Sequence, residues 1–407
     1  MRNRIAFALS VSGLVLCLAA SPLLAQRRPA ARTLSEQEMT DLMVGSSIQA
    51  SRSSDSAGMI KRVKEAMAAG MTFTLLSVDD LPDDWAVVVP SGVGGGGAWD
   101  YVRERTQQQN LPTIPNATVA AINALSKYTG KTFQAVVRTE AAAATLSAFL
   151  AASELGLSVV DACPAGRAVP EMAQQTPFLI GIPGSPAAMV TRWGDTLIVD
   201  KAVDDYRLED LSRVVAVASG GGVQVAHTAI SGRDVKRAMI HGSISQAILF
   251  GRTVREAREQ AKDPIAELLK VSNGYKLFHG VVTKADSKGE AGFTWWNVEL
   301  KGIGDYAGHA YKVFVKNENI VAWLDGKPDV MSPDLISNLD PKTGDAIAGQ
   351  GLGGYPMGME VVMVGIPNSP LWRTPKGIEV MGPRHFGFDF DYVPVEELHK
   401  AARSPAK

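Results

Sequence analysis

Cysteine is almost missing from this chain: Cys17 and Cys163 are the two in 407 residues. Cys17 falls in an N-terminal leader, so a processed chain keeps one thiol and no intrachain disulfide is possible. Strong charge of either sign is also missing. The formal net charge is −1 and the isoelectric point about 6.6, which argues against a nucleic-acid or anionic-membrane partner. Beyond the leader no apolar run is long enough to span a bilayer. The six histidines show no metal-ligand spacing, although His227 and His241 flank an expected helix and each could supply one ligand. No G-x-S-x-G is present, so a nucleophile-elbow serine hydrolase is not signalled, and no internal repeat is evident.

What is present at the N-terminus reads as an export signal. Arg2 and Arg4 form a basic n-region, residues 5–20 are apolar or small, and Ser21-Pro-Leu-Leu-Ala25 precedes Gln26 as a cleavage region. Leu16 before Cys17 is too bulky for lipoprotein processing. Loss of the leader leaves 39 basic against 42 acidic residues, net −3. The expectation is a periplasmic or secreted protein with no membrane contact once residues 1–25 are gone. Residues 26–35 read as a linker.

With 46% apolar and 20% charged residues, the remainder has globular composition and a length suited to two domains. Ser35-Glu-Gln-Glu38 has the form of a capping box and predicts a helix to about Val44, followed by a serine-rich polar loop to Gly58. Residues 59–69, 98–109, 118–128 and 141–155 read as helices. They alternate with expected strands at 72–78, 85–89, 133–137 and 157–161. That alternation predicts a three-layer α/β N-terminal domain, taken as residues 36–185. After Pro177 the texture changes. Expected strands at 178–182, 188–193 and 196–199 precede helices at 208–217, 232–240 and 243–261. From Tyr275 short β runs dominate. Residues 186–396 are therefore expected to form a C-terminal α+β domain with a β-barrel-like part, and 397–407 a tail.

Gly92-Val-Gly-Gly-Gly-Gly97 satisfies G-x-G-x-x-G, yet Thr113-Ile-Pro-Asn-Ala117 holds no carboxylate for a ribose. A close backbone turn, or a cradle for an anionic or polar ligand, is the better reading. Gly130-Lys-Thr132 lacks the earlier glycine of a P-loop, because Leu125 stands there. The stretch with most chemistry is Leu157-Ser-Val-Val-Asp-Ala-Cys-Pro-Ala-Gly-Arg-Ala-Val-Pro-Glu171, a buried strand opening into a loop with Asp161, Cys163, Arg167 and Glu171. Glu140 ends the neighbouring strand at the same topological edge. Together these could supply a general base, a metal ligand, or both. Taken singly, Asp161 equally caps a turn, Cys163 fills a small buried space, and Arg167 pairs with Glu171; as a group the loop points to function.

Several strings, in order, resemble the S-methyl thiohydantoin desulfurase family (DUF917, hydantoinase-like). They are Val78-Asp-Asp-Leu-Pro-Asp-Asp84, Val159-Val-Asp-Ala162, Gly166-Arg-Ala168 with Pro170-Glu171, and Gly242-Ser-Ile-Ser245. Further on they are Asn317-Glu-Asn-Ile-Val-Ala322, Pro333-Asp-Leu-Ile336, Pro370-Leu-Trp-Arg-Thr-Pro375 and Gly382-Pro-Arg384 with Phe386-Gly387. The resemblance spans about residues 35–396. It implies a three-layer α/β domain followed by a barrel-like one, and hydrolytic loss of sulfur from a thiohydantoin ring. Glu140, Asp161, Arg167 and Glu171 carry over as catalytic residues. Asp161, Cys163 and Glu140 are the candidate ligands of a divalent metal such as zinc, a small cyclic molecule is the expected ligand, and a homo-oligomer the expected assembly. Three departures stand out. The family's Thr-Gly-Gly-Gly-Gly loop is replaced by Ile48-Gln-Ala-Ser-Arg-Ser-Ser54. Its Glu-Ile-Gly-Gly-x-Asn becomes Glu140-Ala-Ala-Ala-Ala-Thr145, and its Asp-Ala-Asp becomes Asp161-Ala-Cys163. A catalytically degenerate member that binds a small ligand or a protein partner without turnover is the alternative.

Overall fold

The computed structural model describes residues 30–51, 55–347 and 355–402. The leader reading at 1–25, the first residues of the linker and the end of the tail lie outside the described residues. The strands of the first part are β1 (Arg32–Thr33), β2 (Thr74–Leu76), β3 (Ala86–Gly94), β4 (Ala135–Val136), β5 (Ser158–Val160), β6 (Ala162–Cys163), β7 (Ala187–Val190), β8 (Thr196–Val199) and β9 (Gly222–Ser231). Between them run α1 (Glu36–Gln49), α2 (Ser56–Ala68), α3 (Asp100–Gln109), α4 (Ala117–Thr129), α5 (Ala143–Glu154), α6 (Thr176–Leu179) and α7 (Asp205–Ala218). Then follow α8 (Gly232–Ala238), β10 (Ile240–His241), α9 (Ser243–Glu259) and α10 (Pro264–Ser272).

Eight of these strands form one mixed sheet, ordered β1-β2-β5-β4-β3-β9-β7-β8, with β2, β5, β4 and β3 parallel. Alternate residues of each strand face opposite sides. Val88, Val136 and Val159 meet α1, α2, α4, α5 and α9, whereas Val87, Ala135, Val137 and Val160 meet α8 and its surroundings. Toward the β7 edge, Met189, Val223 and Val225 pack on Leu208 and Ala216 of α7. Burial on both faces explains the unbroken apolar strands of the sequence. Helices on both sides of one sheet make the three layers.

The C-terminal strands are β11 (Tyr275–Glu290), β12 (Phe293–Gly302), β13 (Ala310–Lys316), β14 (Glu318–Leu324), β15 (Lys327–Met331), β16 (Leu335–Leu339) and β17 (Glu360–Ile366). They form an antiparallel sheet in the order β15-β14-β13-β12-β11-β17-β16, curled into a half-barrel. Helices α11 (Pro375–Met381) and α12 (Val395–Ala402) close the chain. Among the described residues no helix is long and apolar enough to cross a membrane.

Strand β9 and helix α10 have no counterpart in the sequence reading, α12 runs into the expected tail, and two further elements differ from it in type or extent. Residues 178–182, expected as a strand, lie in and just beyond the short helix α6. Pro177 sits in its first turn and Gly181, at φ 78°, ends it. The capping box does start α1, with Ser35 accepting from Glu38 N–H, but the helix runs on to Gln49. Ser46 and Ser47, expected in a loop, are buried inside it. The cause is tertiary: α1 and α9 lie side by side between the two sheets. Met39, Leu42 and Met43 face the first sheet, Val44 and Ile48 the second. On α9, Ile244, Ala247 and Ile248 face the first, Phe250 and Val254 the second. A helix packed all round has no polar stripe to show.

Glycine sets the approach of this pair. A Cβ at Gly45 would lie 1.7 Å from the Ala247 carbonyl oxygen, and one at Gly251 would lie 1.9 Å from the Asp41 carbonyl oxygen. Arg255 ties the crossing further by donating from Nε and Nη2 to the two carboxylate oxygens of Asp41, at 2.9 and 3.1 Å. The far end of α1 is satisfied by the second sheet: Ser337 Oγ donates to Ile48 O and Asn319 N–H to Ser51 O. Gly251→Ala is expected to lower the unfolding free energy by about 3 kcal/mol, since overpacking here moves backbone rather than a side chain. Urea denaturation checks this, and a loss below about 0.5 kcal/mol would count against so close a crossing.

Candidate functional site

The loop after β5 places its four chemistry-bearing residues in different surroundings. Asp161 faces the start of α9. That helix begins after Gly242, which has no side chain to cap it, and Asp161 does so from across the fold. Its Oδ1 accepts from Ile244 N–H (2.9 Å) and Ser245 N–H (3.1 Å), and its Oδ2 from Ser245 Oγ (2.5 Å). A carboxylate at a helix N-terminus is the arrangement its dipole favours. Cys163 is fully buried, taking a contact from Gly166 N–H at 3.2 Å and giving one to Thr139 O at 3.6 Å.

Arg167 is also fully buried and does not pair with Glu171. It donates to carbonyl oxygens of Ala168, Pro333, Asp334 and Asn319, stitching the loop to β14 and to the turn before β16. Burial pushes its guanidinium down to about 10, against the opposing pull of Glu318, Asp334 and Glu140.

Glu140 and Glu171 are brought to one cleft, between the sheet edge and the half-barrel. Glu140 accepts from Val169 N–H at 2.8 Å and lines a cavity of about 310 Å³. Gly92, Gly94, Gly221 and Gly222 line it, as do Ala143 and Ala144 of α5. Glu171 lies across a small void lined also by Thr139, Glu140, Glu209 and Arg213. It pairs with Lys316 and accepts from His385 Nε2 at 2.7 Å. Burial pushes its carboxyl up, but the His385 hydrogen bond and the Lys316 charge outweigh that and hold it at about 2. On the far side of Arg213 is a second cavity, of about 570 Å³, with Glu171, Tyr206, Phe293 and Lys316 in its wall.

Arg213 is the residue that composition and motif reading missed. From α7 it pairs with Glu209, donates to carbonyl oxygens of Gly94, Gly292 and Pro170, and stacks 4.1 Å from the centre of Phe293. Lys316 and His385 were missed with it. Nothing in their own segments marks Lys316 or His385, since the three reach the cleft separately, from α7, β13 and the C-terminal segment. The Glu209/Arg213 spacing of four on one helix was the single legible hint.

The glycine run 92–97 is a close backbone turn, and what approaches it most closely is protein. A Cβ on Gly95 would lie 2.0 Å from Gly292 O, and one on Gly96 2.4 Å from the Gly289 Cα. Only its first part, Gly92 to Gly95, also walls the 310 Å³ cavity.

As metal ligands, Glu140, Asp161 and Cys163 do not fit. Asp161 is turned onto α9 and Cys163 into the core. Among the described residues no group of three or more His, Cys, Asp and Glu is arranged to hold an ion. His227 is in the core, its Nδ1 on Thr228 Oγ1 at 2.8 Å, and burial drives its pKa to about 3; His241 is exposed on β10.

The turn carrying Glu140 is backed by an unusual buried cation. Arg138, fully buried, donates to Ser46 Oγ, Thr145 Oγ1, Gln49 Oε1 and Ser243 O. Ser46 Oγ in turn accepts from Ala142 N–H at 2.8 Å. Ala142 is thereby held at φ 62°, ψ −130°, a conformation suited to glycine.

Two family models match the chain: S-Me-THD-like, N-terminal domain, over residues 37–201, and S-Me-THD-like, C-terminal domain, over residues 203–395. A crystal structure of a protein from Chromobacterium violaceum is similar over 90% of this chain and 100% of its own, with 21% identity and a TM-score of 0.70. At that identity the likeness speaks for the fold. No curated protein matches.

Two outcomes follow from the geometry. Ala142→Gly is expected to raise the unfolding free energy by about 1 kcal/mol by removing the strained Cβ, read as a higher melting temperature. Glu171 titrates below its unfolded value of 4.5, so its contribution is complete above that pH and is lost as pH falls toward 2. Acid unfolding of Glu171→Gln should therefore lack this component; an identical pH profile would remove Glu171 from the account.

Proposed function

This chain belongs to the S-Me-THD-like family, and from that premise we propose that it is an exported, hydantoinase-like hydrolase of a small five-membered cyclic imide or thiohydantoin-type ring. The observation that carries the reading is Glu140. It is a half-buried carboxylate that accepts from the Val169 N–H and lines a glycine-walled cavity large enough for such a ring. Hydrolysis needs a water placed against the electrophilic ring carbon. Glu140 takes that water's proton as the new C–O bond forms. As the exocyclic C=O or C=S double bond opens, charge builds on its oxygen or sulfur and calls for donors nearby. Collapse then breaks the C–N bond (ring opening) or the C–S bond (sulfide release), and the leaving nitrogen or sulfur takes the proton back from Glu140. The first turn of α5 opens at Ala143 and Ala144 on the same cavity. Gln224, whose Oε1 is held by Thr118 Oγ1 at 3.0 Å, adds an amide.

Glu171, held ionised, is a poor proton acceptor. Its part is to fix Lys316 and His385 at the rim, and Arg213 anchors the wall between the two cavities. Asp161, Cys163 and Arg167 act in this scheme by shaping the loop, and no step passes through a metal. Export rests on the leader, residues 1–25, whose removal should leave Gln26 as the mature N-terminus.

A second reading, binding of the ring without turnover, is favoured by one observation: alanine methyls at 143 and 144 occupy cavity wall where the family pattern has a glycine and a variable residue. A panel of hydantoins and thiohydantoins, followed by sulfide release and ring opening, separates the two. The hydrolase reading expects turnover that falls at least about 10²-fold in Glu140→Gln. Ring binding by calorimetry with no product from the wild-type protein would overturn it in favour of the second.

A further inference from the structure

A further chamber, of about 630 Å³, adjoins the Glu140 cavity. The two share Ser147, Gly222 and Gln224 as wall residues, so they are neighbouring compartments on either side of one amide. Gln224 stands at the partition. Its Oε1 accepts from Thr118 Oγ1, and its amide lies beside Gly92, with Nε2 3.5 Å and Oε1 3.7 Å from where a Cβ there would lie.

The chamber's charge is lopsided. Arg62 from α2 and Arg192 from the β7–β8 turn both line it, and neither has a carboxylate partner among the described residues. The N-terminus of α4 also opens onto it, with Asn116 capping Val119 N–H at 3.2 Å. Against these stands one acid, Glu154, which accepts from Asn116 Nδ2 at 2.8 Å. Two exposed guanidiniums and a helix N-terminus around a concave space attract an anion.

We propose that the ring substrate carries an anionic arm, a carboxylate on a short chain, and that this arm passes Gln224 into the second chamber to meet Arg62 and Arg192. The proposal takes the placement of the ring from the hydrolase reading, while the arm's recognition stands or falls by binding alone. A carboxylate suits the site because each guanidinium can offer two parallel donors to it.

The test uses the full-length mature protein and two probes, 5-(2-carboxyethyl)hydantoin and its primary amide, which differ in charge and little in size. Calorimetry should show the acid binding about tenfold more tightly than the amide. The preference should shrink as salt is raised and disappear in Arg62→Ser/Arg192→Ser, two exposed positions where folding is not at stake. Equal binding of acid and amide, binding of neither, or a preference that survives the double substitution would each overturn the proposal. A preference that is present and lost on substitution, but with no ring opening, upholds the arm site and removes the hydrolase reading. With ring opening, both stand.

Discussion

The close crossing of α1 and α9 is the constraint on which the rest of the molecule depends. Both helices are buried on two sides, so a single pair serves as the floor of the three-layer domain and as the wall behind the half-barrel. Such a layer works only if it is thin. Gly45 against the Ala247 carbonyl, and Gly251 against the Asp41 carbonyl, make it thin by letting backbone meet backbone. With the axes so near, Gln49 reaches Ser243 and Gln246, and Arg138 reaches all of Ser46, Gln49 and Ser243. That network in turn grips the Glu140–Ala142 turn. The position of the cleft carboxylate is thus a remote product of two missing side chains.

Two buried guanidiniums join the halves around the cleft. Arg167 spends its donors on carbonyls of the half-barrel, and Arg213 does the same between Gly94, Gly292 and Pro170. A buried cation left without such partners costs several kcal/mol, so each of these arginines is committed to one geometry. Loop 161–175 is held from both sides in consequence. A site placed on it inherits rigidity that a surface loop would not have, and the pairing of Glu171 with both Lys316 and His385 extends that rigidity to the rim.

Much of the fold was legible in the residues. The capping box at Ser35, the unbroken valine strands and the change to short β runs after Tyr275 all correspond to observed elements. What was not legible depended on distant partners. Ser46 and Gln49 read as loop because their polarity is answered by residues almost a hundred or two hundred positions away, while Ser47 turns its hydroxyl back onto the Met43 carbonyl one turn earlier. Asp161 looked like chemistry because its use as a helix cap requires knowing that α9 starts beside it. Glu140 and Glu171 were visible through pattern, while Arg213, Lys316 and His385 were not, since nothing local distinguishes a cleft side chain of these types from a surface one.

The glycine joint between residues 94–97 and 289–292 bears on how this chain can change over time. At an ordinary contact a larger residue on one side is accommodated by a smaller one on the other, and sequence drifts by such exchanges. Where Gly95 meets Gly292 and Gly96 meets Gly289, neither side has a side chain left to give up. These four glycines can therefore be replaced only together, by a loop exchange that rebuilds the joint, and single steps at any one of them are closed. Variation in this protein should collect everywhere around that seam before it enters it.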